Sequence, residues 1–212
     1  MSIKVTKYMH SCLLVEADGL VALFDPGNFS YESGLFDLNK IDVVDRIIIT
    51  HEHADHFHLP FVEMVVAKFP DLKITAPQSV IDQLEHLQVG ALRCESSTCT
   101  KIIKSDHEPL PFGWPQPDNI GVHFQDAITH PGDSHNFTET KRVLAMPMTA
   151  PWGSFTSAVA KVLELKPEVV IPIHDYHYRP EVLAGLYQRF EQAFAEKGIK
   201  FIIPVNGQVF EV

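Results

Sequence analysis

The chain of 212 residues carries 27 acidic and 17 basic side chains, for a formal net charge of −10. This excess of negative charge argues against binding to a nucleic-acid phosphate backbone, which attracts clustered Lys and Arg. No apolar run reaches the roughly 20 residues that a membrane-spanning helix needs, so we expect no membrane segment. Cys12, Cys94 and Cys99 form no CxxC motif and the N-terminus lacks a signal-peptide core, which predicts reduced thiols in a cytoplasmic protein.

The first 25 residues predict a meander of three strands. Apolar and β-branched runs cover 3–9, 12–17 and 20–25, and Asp18-Gly19 between the last two is a hairpin signal. Asp25-Pro26-Gly27-Asn28 then breaks the pattern, because Pro and Gly together favour a turn.

Helices and strands alternate along the rest of the chain. Helices are predicted over 59–68, 77–87, 155–165 and 180–197. Strands are predicted over 46–50, 73–76, 101–105, 119–124, 127–130, 142–147, 169–173, 201–205 and 208–212. Asn206-Gly207 predicts a type I′ hairpin between the last two strands. This order favours one mixed α/β (α+β) domain over 1–212, with sheets covered by helices on their outer faces.

One segment concentrates metal-binding chemistry directly after a short apolar strand. The run Ile47-Ile48-Ile49-Thr50 leads into His51, His53, Asp55 and His56 within six positions. Side chains alternate sides in an extended chain, so His51 and His53 point the same way and can bind one cation. Asp55 and His56 follow where the chain turns, and can reach a second cation. Imidazole with carboxylate suits zinc, and iron or manganese are the alternatives.

Further ligand candidates follow other predicted strands, at the points where those strands end. They are His107, Asp133 and His174. Strand ends hold side chains rigidly and leave them open to solvent, so we expect these residues to join the first cluster. The rival histidines are His86 and His123 for the position of His107, and His130 and His177 for that of His174.

Other residues near the cluster have two interpretations each. Asp25 either hydrogen-bonds a ligand histidine or caps the Pro-Gly turn. His10 either faces the site or is a structural histidine. Aromatic residues on nearby loops either wall a substrate pocket or pack the loops against the core; they are Phe112, Trp114, Trp152 and Phe155.

Several motifs occur in a characteristic order along the chain. They are Tyr8-Met9-His10-Ser11-Cys12, Leu23-Phe24-Asp25-Pro26, His51-Glu52-His53-Ala54-Asp55-His56, the lone His107, Gly132-Asp133-Ser134 and Pro172-Ile173-His174. Together they resemble the metallo-β-lactamase-fold hydrolase superfamily, and within it the small single-domain members similar to ascorbate-6-phosphate lactonases. The resemblance covers almost the whole chain and implies a four-layer αββα sandwich with the site at one edge.

The resemblance also implies ligand roles. It implies that the first metal is bound by His51, His53 and His107, that the second is bound by Asp55, His56 and His174, and that Asp133 bridges them. Two positions depart from that branch. Asp175 separates His174 from Tyr176, where the branch often has a His-Tyr pair, and Asn136 stands where some lactonases carry a tyrosine.

Two metals at such a site predict a hydrolase. Cations roughly 3.5–4 Å apart hold a bridging hydroxide, whose formation they favour near neutral pH, and it attacks an electrophilic carbon or phosphorus. Asp55 and Asp133 are the candidate catalytic carboxylates, and Asp55 could carry a proton to the leaving group. We expect a small lactone, ester or phosphoester substrate, with two zinc ions as the default metals. The alternatives are a phosphodiesterase or ribonuclease of the same fold, a flavodiiron-type oxygen reductase and a non-catalytic metal-binding protein.

Overall fold

The computed structural model describes residues 2–212. The strands in that range are β1 (Ile3–Met9), β2 (Cys12–Ala17), β3 (Leu20–Phe24), β4 (Arg46–Ile48), β5 (Lys73–Thr75), β6 (Ala91–Arg93), β7 (Thr100–Lys104), β8 (Ile120–Phe124), β9 (Ile128–His130), β10 (Val143–Pro147), β11 (Val169–Ile173), β12 (Lys200–Phe201) and β13 (Val209–Glu211). The helices are α1 (Asn28–Glu32), α2 (Leu59–Lys68), α3 (Gln78–Leu84), α4 (Phe155–Leu165) and α5 (Pro180–Ala195).

The strands form two sheets. The first has the order β13-β1-β2-β3-β4-β5-β6 and the second has the order β12-β11-β10-β9-β8-β7. In the first sheet, β1 to β3 form the predicted antiparallel meander, and β3 to β6 continue it in parallel. The turn between β2 and β3 places Asp18 at φ 48 and Gly19 at φ 75, as a tight hairpin requires.

Three apolar clusters separate four layers of secondary structure. The first lies between α2 and α3 and the outer face of the first sheet, and includes Phe61 and Ile47. The second lies between the two sheets, where Phe24 of β3 and Phe124 of β8 meet with ring centroids 6.0 Å apart. The third packs α4 and α5 on the outer face of the second sheet. The αββα sandwich is therefore confirmed.

The C-terminal strands differ from the prediction. Asn206-Gly207 forms a turn, with Gly207 at φ 77. The strands beside it are not partners, because β12 pairs with β11 in the second sheet and β13 pairs with β1 in the first. The predicted hairpin is therefore wrong. Each strand instead completes the open edge of a different sheet, where unpaired backbone groups are available.

Two short elements, α1 and β6, have no counterpart in the sequence prediction. They span five and three residues, too few for a periodic pattern to register. Other bounds shift by one to three residues, as in the predicted strand over 46–50, which ends at Ile48, and the predicted helix over 77–87, which spans Gln78–Leu84. The predicted strand over 201–205 differs more, because the observed strand spans only Lys200–Phe201.

Four strands direct their carboxyl ends towards the same edge of the sandwich. In the second sheet, β7, β9 and β11 run in the same direction, because β7 and β9 are both antiparallel to β8 and β9 to β11 are parallel. The residues just beyond these strands meet the segment that follows β4. Within 2–212, no helix combines the length and apolar character needed to cross a membrane.

Candidate metal centre

The segment after β4 turns tightly against the loop that follows β3. The backbone N–H of His56 donates to the carbonyl of His53 (2.9 Å), and that of Asn28 donates to the carbonyl of Ala54 (2.8 Å). Gly27 makes this approach possible, because a Cβ atom there would lie 1.9 Å from the Asp55 carbonyl oxygen. The turn presents the side chains of 51–56 to the edge of the sandwich.

The first group of converging side chains comprises His51, His53, His107 and Asp133. One ligand atom from each lies within 4.8 Å of the others. His51 Nε2 lies 3.1 Å from His53 Nδ1, and Asp133 Oδ2 lies 3.8 Å from His51 Nε2 and 3.7 Å from His107 Nε2. Three of the four residues are buried and His53 is half-buried. The predicted first ligand set is thus brought together.

The second group comprises His10, Asp55, His56 and His174, within the same 4.8 Å limit. Asp133 also reaches this group: its Oδ1 lies 3.0 Å from His56 Nε2 and its Oδ2 lies 3.1 Å from His174 Nε2. A single carboxylate therefore lies between the two groups. The structure brings together all seven residues predicted from the sequence, and it adds His10. Their roles as ligands stay predictions.

The hydrogen bonds of the imidazoles fit metal binding. The Nδ1–H of His56 donates to Asp25 Oδ2 (2.7 Å). In the same way, the Nδ1–H of His107 donates to the Glu108 carbonyl (2.6 Å), and that of His174 donates to the Thr149 carbonyl (2.7 Å). Because those oxygens can only accept, Nδ1 of each ring carries a proton, and Nε2 is the nitrogen that a cation would bind after displacing any proton from it. All three Nε2 atoms, and Asp133 Oδ1, are buried without a hydrogen-bond partner. Buried ring nitrogens and carboxylate oxygens without a hydrogen-bond partner suit divalent cations, which displace protons when they bind.

The charges of the cluster are tightly coupled. Burial would raise the pKa of Asp133, but the neighbouring His174, His56 and His51 outweigh it and hold that pKa well below its usual range. Burial would lower the pKa of His174, but the Asp133 carboxylate outweighs it and raises the pKa to about 9. Burial and the neighbouring His56 lower the pKa of His51 well below its usual value. The carboxylates also outweigh burial at His56 and raise its pKa well above the usual value. Protons on His56 and His174 thus balance the negative charges of the carboxylates, and bound cations would supply that balance instead.

Asp25 holds the segment after β4 by three hydrogen bonds. It accepts the backbone N–H of Thr50 (2.8 Å), the Thr50 hydroxyl (2.8 Å) and the Nδ1–H of His56. The Thr50 hydroxyl, whose proton points to Asp25, accepts in turn from His51 Nδ1 (3.1 Å). Of the two interpretations of Asp25, the hydrogen bond to a candidate ligand is the one that the structure contains.

The loop after β10 contributes two contacts that the sequence did not reveal. The Thr149 carbonyl orients His174, and the indole Nε1–H of Trp152 donates to Asp133 Oδ2 (3.0 Å). Trp152 also lies over the centre, with its ring centroid 5.4 Å from that of His174 and 6.1 Å from that of His107. A loop aromatic was a visible candidate for a pocket wall, but no local signal marks a hydrogen bond to a carboxylate.

The rival histidines belong to neither group. His86 is exposed and pairs with Glu63 (3.2 Å), and His123 bonds Thr129 (2.9 Å). His130 and His177 also lie outside both sets. Of the aromatic candidates, Phe112 and Trp114 are exposed, while Phe155 packs against Tyr178 and Phe190. Tyr176 stacks on Phe29, and Asn136 is exposed.

Comparison with known proteins agrees with this architecture. A metal-dependent hydrolase from Salinibacter ruber is 29% identical over 216 residues, covering 92% of this chain and 93% of that protein. The structure of a metallo hydrolase from Ignicoccus hospitalis matches with a TM-score of 0.69 at 17% identity, over 100% of this chain and 99% of that one. A metallo-β-lactamase-fold protein from Bacillus subtilis matches with a TM-score of 0.68 at 17% identity, over the whole of both chains. The family model of the β-lactamase superfamily domain matches residues 4–174. This chain therefore belongs to the β-lactamase superfamily.

Proposed function

We propose that this metal-dependent hydrolase holds two divalent cations at the edge of its sandwich. His51, His53 and His107 would bind the first cation, and the second would be bound by Asp55, His56 and His174, with Asp133 bridging. The observation that carries the proposal is the position of Asp133, whose two carboxylate oxygens approach imidazoles of both groups. When bound, the cations would favour ionisation of water near neutral pH and polarise a substrate oxygen.

Asp55 is the proposed proton carrier. Its carboxylate is the most exposed one in the centre, with 23% of the side chain accessible, so substrate and water can reach it. Burial would raise its pKa, but His56, His10 and His174 outweigh burial and lower the pKa, which keeps Oδ2 ionised. Asp55 Oδ2 would therefore act as an acceptor that orients the attacking water, and it would hold the proton of that water only transiently on its way to the leaving group.

The proposed substrate is a small uncharged lactone or ester. A cleft of about 440 Å³ has His107 among its lining residues. The lining carries the carboxylates of Asp118 and of Asp106, which pairs with Lys104 (3.2 Å), and it includes no Lys or Arg. An acidic lining disfavours a phosphate group, because like charges repel. The net charge of −10 acts in the same direction. An RNA substrate would need clustered cationic contacts, whereas Lys104, paired with Asp106, is the one cation that contacts a carboxylate of this lining among the ion pairs of 2–212.

Imidazole-rich ligation makes zinc the proposed metal, with manganese or iron as the alternatives. We propose a cytoplasmic protein that acts on a small molecule, with the whole of 1–212 as one domain.

The test uses His53→Ala and Asp133→Ala, with His86→Ala as the control, because His86 is an exposed histidine outside both groups. We expect both site variants to lose bound metal, measured per chain by elemental analysis, and to lose turnover, while the control keeps both. Activity is measured on a panel of lactones, nitrophenyl esters and bis-nitrophenyl phosphate. Unchanged metal content in the site variants would contradict the proposal. Preference for the phosphodiester would favour a phosphodiesterase, and two bound metals without hydrolysis would favour a metal-binding protein.

A further inference from the structure

His10 lies among the candidate ligands of the second cation but has no assigned role. It follows β1, is buried to 1% exposure, and takes a left-handed backbone conformation with φ 53. Its Nε2 lies 3.1 Å from Asp55 Oδ2, within the group that includes His56 and His174. By proximity alone, His10 would be counted as a fourth ligand of that cation.

The other nitrogen of the ring argues against ligation. The backbone N–H of Tyr176 donates to His10 Nδ1 (3.4 Å). An amide N–H can only donate, so Nδ1 must carry the lone pair and Nε2 must carry the proton. A cation needs a lone pair on the nitrogen that faces it. Nε2–H of His10 instead points to a carboxylate, which can only accept.

Two of the proposed ligands, His56 and His174, show the opposite arrangement. The Nδ1–H groups of His56 and His174 donate to oxygen atoms, and their Nε2 atoms are buried without a hydrogen-bond partner and face the Asp133 carboxylate. The hydrogen-bond partner of Nδ1 therefore distinguishes the two kinds of histidine. That partner is an oxygen acceptor in the proposed ligands and an N–H donor in His10.

One segment, His174 to Tyr176, donates hydrogen bonds to both the backbone and the ring of His10. The carbonyl of His10 accepts the backbone N–H of His174 (3.2 Å), and Nδ1 accepts from Tyr176, two residues further on. The ring lies 4.0 Å from the His174 ring and meets Phe29 edge-on at 5.3 Å. Rotation of the imidazole, which would exchange its two nitrogens, is therefore opposed by packing and by the loss of both side-chain hydrogen bonds.

We propose that His10 is a positioning residue, which donates Nε2–H to Asp55 Oδ2 and binds no cation itself. This donor fixes the carboxylate oxygen that faces both the second cation site and the substrate. It also links Asp55 to the segment of His174, so that two candidate ligands from different sheets are held in one orientation. The inference rests on the proposed two-cation centre.

The first experiment locates the cation directly. The protein, labelled with ¹⁵N at histidine, is loaded with ¹¹³Cd, and scalar coupling between cadmium and each imidazole nitrogen is recorded. We expect coupling at Nε2 of His56 and His174, and none at either nitrogen of His10. Coupling at His10 Nε2 would make it a ligand and overturn the inference, while leaving the two-cation centre intact.

The second experiment measures the effect of the donor. His10→Gln keeps an N–H donor on a side chain of similar reach, and His10→Leu removes it. Dissociation constants for both cations are measured by chelator competition, with the first site as the internal control for folding. We expect the second cation to bind about 10- to 100-fold more weakly in His10→Leu, with most of the affinity kept in His10→Gln.

The remaining outcomes separate this inference from the proposed function. Equal losses in the two variants would assign His10 a packing role only, and an unchanged second site in His10→Leu would remove any role; both overturn the inference alone. A wild-type protein that binds a single cation would overturn the two-cation proposal and this inference with it.

Discussion

Asp25→Asn should weaken the second cation site without removing any candidate ligand. The carboxylate accepts three hydrogen bonds, from the Thr50 N–H, the Thr50 hydroxyl and the Nδ1–H of His56. Asn has nearly the same shape but only one oxygen, and its amino group donates. If that oxygen still accepts the hydrogen bond from the Thr50 N–H, the amino group of Asn faces His56 Nδ1. Because two donors cannot bond each other, the imidazole must then carry its proton on Nε2. That nitrogen then has no lone pair for a cation.

The expected size of the effect follows from the lost contacts. Replacement of a residue that orients a metal ligand costs about 10- to 100-fold in metal affinity, or about 1.4 to 2.8 kcal/mol. Asp25 is fully buried, so solvent cannot replace the lost acceptor. Loss of a hydrogen bond to a buried charged group should also lower the free energy of unfolding by about 1.5 to 3 kcal/mol.

Chelator competition and urea unfolding of the same preparations measure the two quantities separately. Asp45→Asn is the matched control, because Asp45 accepts the Val21 N–H (2.8 Å) at the opposite end of β4 from the centre. We expect that control to lose some stability and to keep its metal affinity. The reasoning is refuted if Asp25→Asn binds both cations as tightly as the wild type, since Asp25 would then serve the fold alone.

Two further predictions concern Trp152 and the pH dependence of stability. Trp152→Phe removes the donor to Asp133 Oδ2 but keeps an aromatic ring, so cation affinity should fall by about tenfold in chelator competition; Trp114→Phe, on an exposed loop, should leave it unchanged. The pKa of His174 is raised to about 9 because Asp133 outweighs burial, so its stabilising contribution is complete below pH 6.5 and is lost as pH rises through 9. Unfolding of the chelator-treated protein should therefore become easier across that window, and the loaded protein, whose cations replace the protons, should show a weaker trend; a flat profile for the metal-free protein would contradict the assignment.

The candidate centre was largely predictable because its residues follow strand ends. An apolar strand that runs into His51 and His53 is a local pattern, and the order of His107, Asp133 and His174 repeats the same arrangement. Parallel strand ends meet at one edge, so the local pattern was sufficient to predict a long-range meeting.

The contacts around those residues were not predictable in the same way. The role proposed for His10 depends on the backbone of Tyr176, which is 166 positions away, and the contact of Trp152 with Asp133 depends on a loop geometry that no periodicity encodes. The failed hairpin at Asn206-Gly207 has the same origin. The turn chemistry is local and is present, but the partner of each strand is decided by which sheet has a free edge.

The centre draws its side chains from both sheets, and this has a consequence for the order in which the protein is assembled. Four candidate ligands follow β4, early in the chain, whereas His174 becomes available only after β11, and β1 gains its outer neighbour only from β13 at the far end. A chain still emerging from the ribosome would thus display His51 and His56 long before the remaining ligands exist. Metal binding should accordingly be a late event, coupled to the packing of the two sheets against each other. A prematurely terminated chain should be unable to bind the two cations.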